Sequence, residues 1–87
     1  MAGYEIEIEP KVLKEIAGIP APDIHRVRDR IRSLSGNPRP AGCEKLTGTD
    51  GFRVRQGSYR IVYRIDDAAR VVTITRVGPR GDVYRRR

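Results

Sequence analysis

The residue pattern predicts an α+β domain: an N-terminal strand, an αα-hairpin, then a three-stranded antiparallel meander that completes a mixed sheet. Three observations predict it. Tyr4, Ile6 and Ile8 alternate with Glu5, Glu7 and Glu9, the two-residue period of a strand with one buried face. Between residues 10 and 34 the apolar period lengthens to that of a helix, twice, with Gly and Pro between the two runs. From Cys43 onward β-branched and aromatic residues return in strand-like runs separated by short turns.

The first helix is expected to start at Pro10, whose missing N–H is harmless in a first turn. Val12, Leu13, Ile16 and Ala17 follow at helical spacing, and Gly18 with Pro20 stops the run. The second helix is expected over about Pro22–Leu34. Ile24, Val27, Ile31 and Leu34 form its apolar stripe, with Arg26, Arg28, Asp29, Arg30 and Arg32 mostly off it. Ser35-Gly36-Asn37-Pro38 ends that helix. Strands are expected at Phe52–Gln56, Tyr59–Ile65 and Arg70–Val77. Gly57-Ser58 is the first loop and Asp66-Asp67-Ala68-Ala69 the second.

These loops imply a register. A Gly57-Ser58 loop sets Gln56 against Tyr59, Arg55 against Arg60, Val54 against Ile61 and Phe52 against Tyr63. Phe52, Val54, Ile61 and Tyr63 then share the core face, and Arg53, Arg55, Arg60 and Arg64 fall on the other. The second loop sets Tyr63 against Val72, Ile61 against Ile74 and Arg60 against Thr75. Arg55 opposite Arg60 is a like-charge pair, costing a few tenths to about 1 kcal/mol. A sheet tolerates that where the position receives an anion.

At 87 residues the chain is expected to form one domain, residues 1–87, burying roughly 60–65% of its unfolded surface. The net charge of +7 is unevenly placed. Residues 1–52 hold eight Lys/Arg and eight acids, whereas residues 53–87 hold ten arginines against Asp66, Asp67 and Asp82. Arginine is the residue whose planar fork grips phosphate, so a polyanion is the expected partner and nucleic acid leads. Cys43 is the lone cysteine, so an internal disulfide is ruled out and a reducing, cytoplasmic setting is expected. No early segment has the apolar length of a signal peptide or membrane span. His25 has no second His and no Cys/His cluster, so no metal and no cofactor are expected.

Three blocks carry a resemblance. Lys45-Leu46-Thr47-Gly48, then Phe52 through Tyr63 with its Tyr-Arg-Ile-Val-Tyr core, then Arg76-Val77-Gly78-Pro79-Arg80-Gly81-Asp82-Val83-Tyr84-Arg85 resemble, in that order, the RelE/ParE toxin superfamily. The resemblance spans essentially the whole chain and implies the RelE-like microbial ribonuclease fold. It implies a toxin of a toxin–antitoxin pair that enters the ribosomal A site and cuts mRNA. There the ribose 2′-hydroxyl attacks the adjacent phosphate, leaving a cyclic phosphate and a 5′-hydroxyl. Carried over by position, the catalytic set is Arg53, Arg55, Arg60, Arg80 and Tyr84. Arg60, helped by Arg53, would stabilise charge on the phosphate, Arg80 the leaving oxygen, and Tyr84 would stack on a base. Lys45, Arg64, Arg76, Arg85, Arg86 and Arg87 would add contacts to RNA or ribosome. The implied partners are a cognate antitoxin, the ribosome and mRNA, with no membrane and no small-molecule cofactor.

Two departures stand out. The pair at Arg53 and Arg55 is commonly lysine in such toxins, one of them the proposed general base. Arg55 effectively stays protonated. The proton acceptor is therefore open between a strained Arg55, Tyr84 and a ribosomal group, or catalysis is mainly electrostatic. Pro79 stands where many relatives carry histidine, which implies very weak activity away from the ribosome.

Blander readings accompany each assignment. On the lesser reading Arg53, Arg55 and Arg60 are a solvated strand face, weakest for Arg60 because Arg55 opposes it, and Arg80 with Tyr84 form a closing tail strand. Arg85-Arg86-Arg87 would be a tail attracting phosphate without specificity. Two other functions fit the same fold: a ParE-like gyrase-poisoning toxin, and a non-enzymatic basic RNA-binding module.

Overall fold

In the computed structural model the described residues are 3–79. Their elements run β1 (Glu5–Ile8), α1 (Pro10–Ala17), α2 (Asp23–Ser33), β2 (Glu44–Lys45), β3 (Gly51–Gln56), β4 (Tyr59–Asp66) and β5 (Val71–Pro79). The strands form one sheet in the order β1-β5-β4-β3-β2. β1 lies parallel to β5 and every other neighbouring pair is antiparallel, so the sheet is mixed, as the sequence predicts. The two-residue β2 was not anticipated as a separate strand. It pairs through Glu44 with Arg53 and Lys45 with Phe52, and closes on the Leu46 N–H to Gly51 carbonyl bond of 2.8 Å.

Both helices lie within about a residue of their expected bounds. Pro10 opens α1, and Val12 and Ile16 are its buried residues. Val27, Ile31 and Leu34 bury from α2 and its C-terminal cap. The core joins these to Val54, Ile61, Tyr63, Val72, Ile74 and Val77, which point from one face of the sheet. Fully burying such side chains stabilises by about 1.5–3 kcal/mol each. The buried face of α1 is narrower than its sequence suggests. Leu13 remains 54% exposed. It lines an open apolar groove of about 540 Å³ with Ile6, Ile8, Ile24 and Ile31.

The first hairpin has the predicted register throughout, from Gln56 with Tyr59 to Phe52 with Tyr63. Gly57 takes φ +61° in the loop, at the kind of position where a two-residue hairpin asks for positive φ. The second hairpin corrects the expectation. Its four-residue loop is 67–70, because Asp66 pairs with Val71 and the Asp66 carboxylate accepts the Ala69 N–H at 2.9 Å. Moving the loop by one residue moves every pairing by two, so Tyr63 meets Ile74 rather than Val72. A two-residue shift leaves each side chain on its own face, which is why the core composition was legible and the register was not. An irregularity between Val62 and Tyr63 then skips Thr75, whose hydroxyl donates to the Val62 carbonyl at 3.3 Å. Beyond it Val62 meets Arg76, Ile61 meets Val77, and Arg60 meets Gly78 instead of Thr75.

Candidate functional site

The face of the sheet turned away from the helices is charged, and the charges are segregated across it. By alternation it carries Glu5 and Glu7 on β1, Arg60 and Arg64 on β4, Arg53 and Arg55 on β3, and Glu44 on β2. Arg55 stands directly opposite Arg60, as expected. Arg55 is exposed and makes no hydrogen bond or ion pair with any described residue.

Arg60 departs from the expectation of an open cationic face. It is only 6% exposed, the one buried charged residue among those described. Its place on β4 sets it between Arg55 of β3 and Gly78 of β5, and Gly78 contributes no side chain to the row. Its Nε has no hydrogen-bond partner among the described residues. A buried guanidinium N–H without an acceptor costs more than a neutral orphan, roughly 1–3 kcal/mol or above. Arg30 Nε is likewise without a partner, but Arg60 stands on the arginine face, where a bound anion would supply the missing acceptor.

Arg53 is not a free cation. Its Nε donates to Glu44 Oε1 at 2.7 Å and its Nη2 bonds to the same oxygen. The Glu44 carboxyl is held below its ordinary range chiefly by that hydrogen bond and the Arg53 charge. Arg55 and Arg60 add to the effect. Glu44 therefore sits as an anion in the field of three arginines. Sequence reasoning missed it. The available signal was the Leu46–Gly51 closure, which makes residues 44 and 53 cross-strand neighbours once Thr47–Asp50 is read as a turn.

The accessory cations divide. Arg64 lies on the same face and reaches Glu9 at 3.7 Å. Arg76 is drawn to α1, with its Nε 3.5 Å from Glu15 Oε2. The other oxygen of Glu15 accepts the Val77 N–H at 2.8 Å, beyond the point where β1 stops pairing with β5. Lys45 pairs with Phe52 and lies over its ring at 5.3 Å, so the structure sets it on the helix-covered side rather than with the arginines. Arg80, Tyr84, Arg85, Arg86 and Arg87 fall outside the described residues.

Two tyrosines anchor the scaffold. Tyr63 donates from its buried hydroxyl to the Pro38 carbonyl at 2.8 Å, and burial above all raises its pKa. Tyr4 donates to Asp67 at 2.6 Å, and Arg39 grips the same carboxylate at 2.9 and 3.2 Å. Those contacts, Arg39 first, bring the Asp67 pKa down to about 2.

The mixed five-stranded sheet and its helical cover have counterparts among known proteins. The profile of the family described as ParE toxin of type II toxin–antitoxin systems matches residues 6–84. The chain belongs to the RelE/ParE toxin superfamily. Toxin RelG of Mycobacterium tuberculosis is 40% identical over 76 residues, covering 74% of this chain and 85% of that one. The archaeal RelE of the RelE–RelB complex from Pyrococcus horikoshii superposes with a TM-score of 0.82 at 29% identity, covering 91% and 97% of the two chains. The RelBE2 toxin–antitoxin complex of Mycobacterium tuberculosis contains a chain matching at TM-score 0.80 and 27% identity, with 90% and 99% covered. The superfamily accounts for the toxin role. No helix among the described residues is long and apolar enough to cross a membrane.

Proposed function

We propose that this superfamily member is a cytoplasmic, ribosome-dependent endoribonuclease that cuts mRNA in the A site and so arrests translation. The observation that carries the reading is Arg60, a buried cation beside Arg55 and across the row from Arg53, with an N–H that has no partner among the described residues. A phosphodiester passing through 2′-hydroxyl attack gathers negative charge on its nonbridging oxygens. Fixed guanidiniums in a partly desolvated site stabilise that charge more than solvated ones would. Arg60 takes the phosphate, Arg53 and Arg55 flank it, Arg80 supports the leaving 5′-oxygen, and Tyr84 stacks on a base near the cut. The ribosome holds the mRNA in line for attack, supplying the orientation that a small open sheet lacks.

The partners on this reading are the translating ribosome with its mRNA and a cognate antitoxin. The solved relatives include complexes of RelE with RelB, and an acidic or amphipathic antitoxin segment suits the arginine face. A second reading, poisoning of gyrase, is favoured by the ParE description of the matching profile. Primer extension on mRNA from cells expressing the chain separates the two. Cuts at A-site codons that vanish with Arg60→Ala support the nuclease. Intact mRNA with induced DNA-damage signalling supports the gyrase reading and overturns the nuclease.

A further inference from the structure

We infer that Glu15 is a positioning residue for the cleavage, acting through the end of β5; the inference rests on the nuclease reading above. Arg80 follows Pro79 directly in the chain, so the place where β5 ends is where the segment bearing Arg80 and Tyr84 starts. Gly78, opposite Arg60, lies in the same stretch of β5.

That stretch has strand support on one side only. β1 stops pairing with β5 at Ile8 and Ile74, where the Glu9 N–H bonds to the Ile74 carbonyl at 3.2 Å. Beyond Ile74 no strand among the described residues covers the outer edge of β5. On the inner edge the pairing with β4 is interrupted between Tyr63 and Val62, and it resumes with Val62 opposite Arg76. Toward α1 lies an open cleft of about 320 Å³, lined by Glu15, Ile19, Tyr59, Arg76, Val77 and Pro79.

Glu15 spans that gap from α1. Its Oε1 accepts the Val77 N–H at 2.8 Å, and its Oε2 lies 3.5 Å from Arg76 Nε. The carboxylate takes the place of the missing strand, and its charge makes the bond stronger than one to a neutral carbonyl. It also selects a register. Alternate residues of a strand present their N–H groups to the same edge, and two residues after Val77 stands Pro79, which has none to offer. A slip that brought Pro79 to Glu15 would leave the carboxylate without a backbone donor. Arg76, opposite Val62, belongs by alternation to the face of Arg60, and Glu15 holds it at the margin of that face. One side chain thus fixes where β5 stands beside Arg60 and where the segment that follows begins.

Single-turnover cleavage on programmed ribosomes tests this with the parent, Glu15→Ala, Glu15→Asp and Glu15→Gln, at a temperature well below their melting. Glutamine keeps an oxygen for the Val77 N–H and loses only the charge facing Arg76. The expected result for Glu15→Ala is a rate lower by about 10–100-fold, as for a small misplacement of reacting groups, with full amplitude and unchanged ribosome affinity. Glu15→Gln recovers most of that rate, and Glu15→Asp, with its shorter reach, falls between the two. Amide exchange is expected to quicken at Val77 in Glu15→Ala while Ile61 and Ile74 keep their protection. A Glu15→Ala chain that cuts at the parent's rate overturns the proposal. So does one that loses amplitude at an unchanged rate, which marks a folding defect, and so does Glu15→Gln as slow as Glu15→Ala. With the parent cutting, each of these outcomes leaves the nuclease reading standing. A parent that leaves mRNA intact overturns both.

Discussion

On the helix-covered face of the β3–β4 hairpin, Val54, Ile61 and Tyr63 are fully buried; on its other face, in the same strands, stand Arg53, Arg55, Arg60 and Arg64. The first set is satisfied by apolar contact alone, without direction. The second needs directed acceptors, water where exposed and anions where not, and the fold provides the anions unevenly. Arg53 has Glu44 and Arg64 has Glu9, whereas Arg60 has buried surface and an N–H unanswered among the described residues. Alternation along a strand therefore lets one hairpin carry stability on one side and chemistry on the other. Arg60 is where the separation fails, being buried like a core residue on the face that is not the core.

Four changes break or sharpen that contrast. The largest effect is expected of Arg60→Ala, a loss of about 10²–10³ in cleavage rate on ribosomes, comparable with removing one donor to a developing oxyanion. Its melting temperature should hold or rise, because a buried cation whose Nε has no acceptor among the described residues is removed. A steep fall in thermal stability would mark Arg60 as structural. Ile61→Ala, one residue away on the opposite face, should do the reverse. Denaturant titration should show a loss of about 2–5 kcal/mol, a large part of the stability of so small a domain. Tyr63→Phe leaves the ring against Phe52 but strands the Pro38 carbonyl, costing about 1–3 kcal/mol in the same assay.

The smallest effect belongs to Asp67→Asn, which loosens the exposed tie among Tyr4, Arg39 and the 67–70 loop. A modest drop in melting temperature is expected at neutral pH. The folded state holds the Asp67 carboxyl down at about 2 against an ordinary 3.8, so it stabilises the fold fully above the ordinary value. That contribution disappears as pH falls through the folded value. Melts of parent and variant should converge as pH approaches 2, and a difference that persists there would assign the effect to something other than this carboxylate.

Much of this was legible along the chain because it depends on period. The alternation of Tyr4, Ile6 and Ile8 against glutamates, the helical stripe of α2, and the Gly57-Ser58 loop are local. They determined the element order, the first hairpin register and the pairing of Arg55 with Arg60 before any tertiary contact was considered. The superfamily was legible too, from ordered blocks spanning the chain. The second hairpin lay beyond reach, because shifting a four-residue loop by one position keeps every core residue facing inward and leaves the hydrophobic pattern unchanged. The skipped residue at Thr75, the capture of Arg76 by Glu15, and the placing of Lys45 over Phe52 each need a partner distant in the chain. So do the burial of Arg60 and the seating of Glu44 among three arginines. Sequence period determines which face a side chain takes. How deep it lies there, and which charge it meets, is decided when separate strands come to lie side by side.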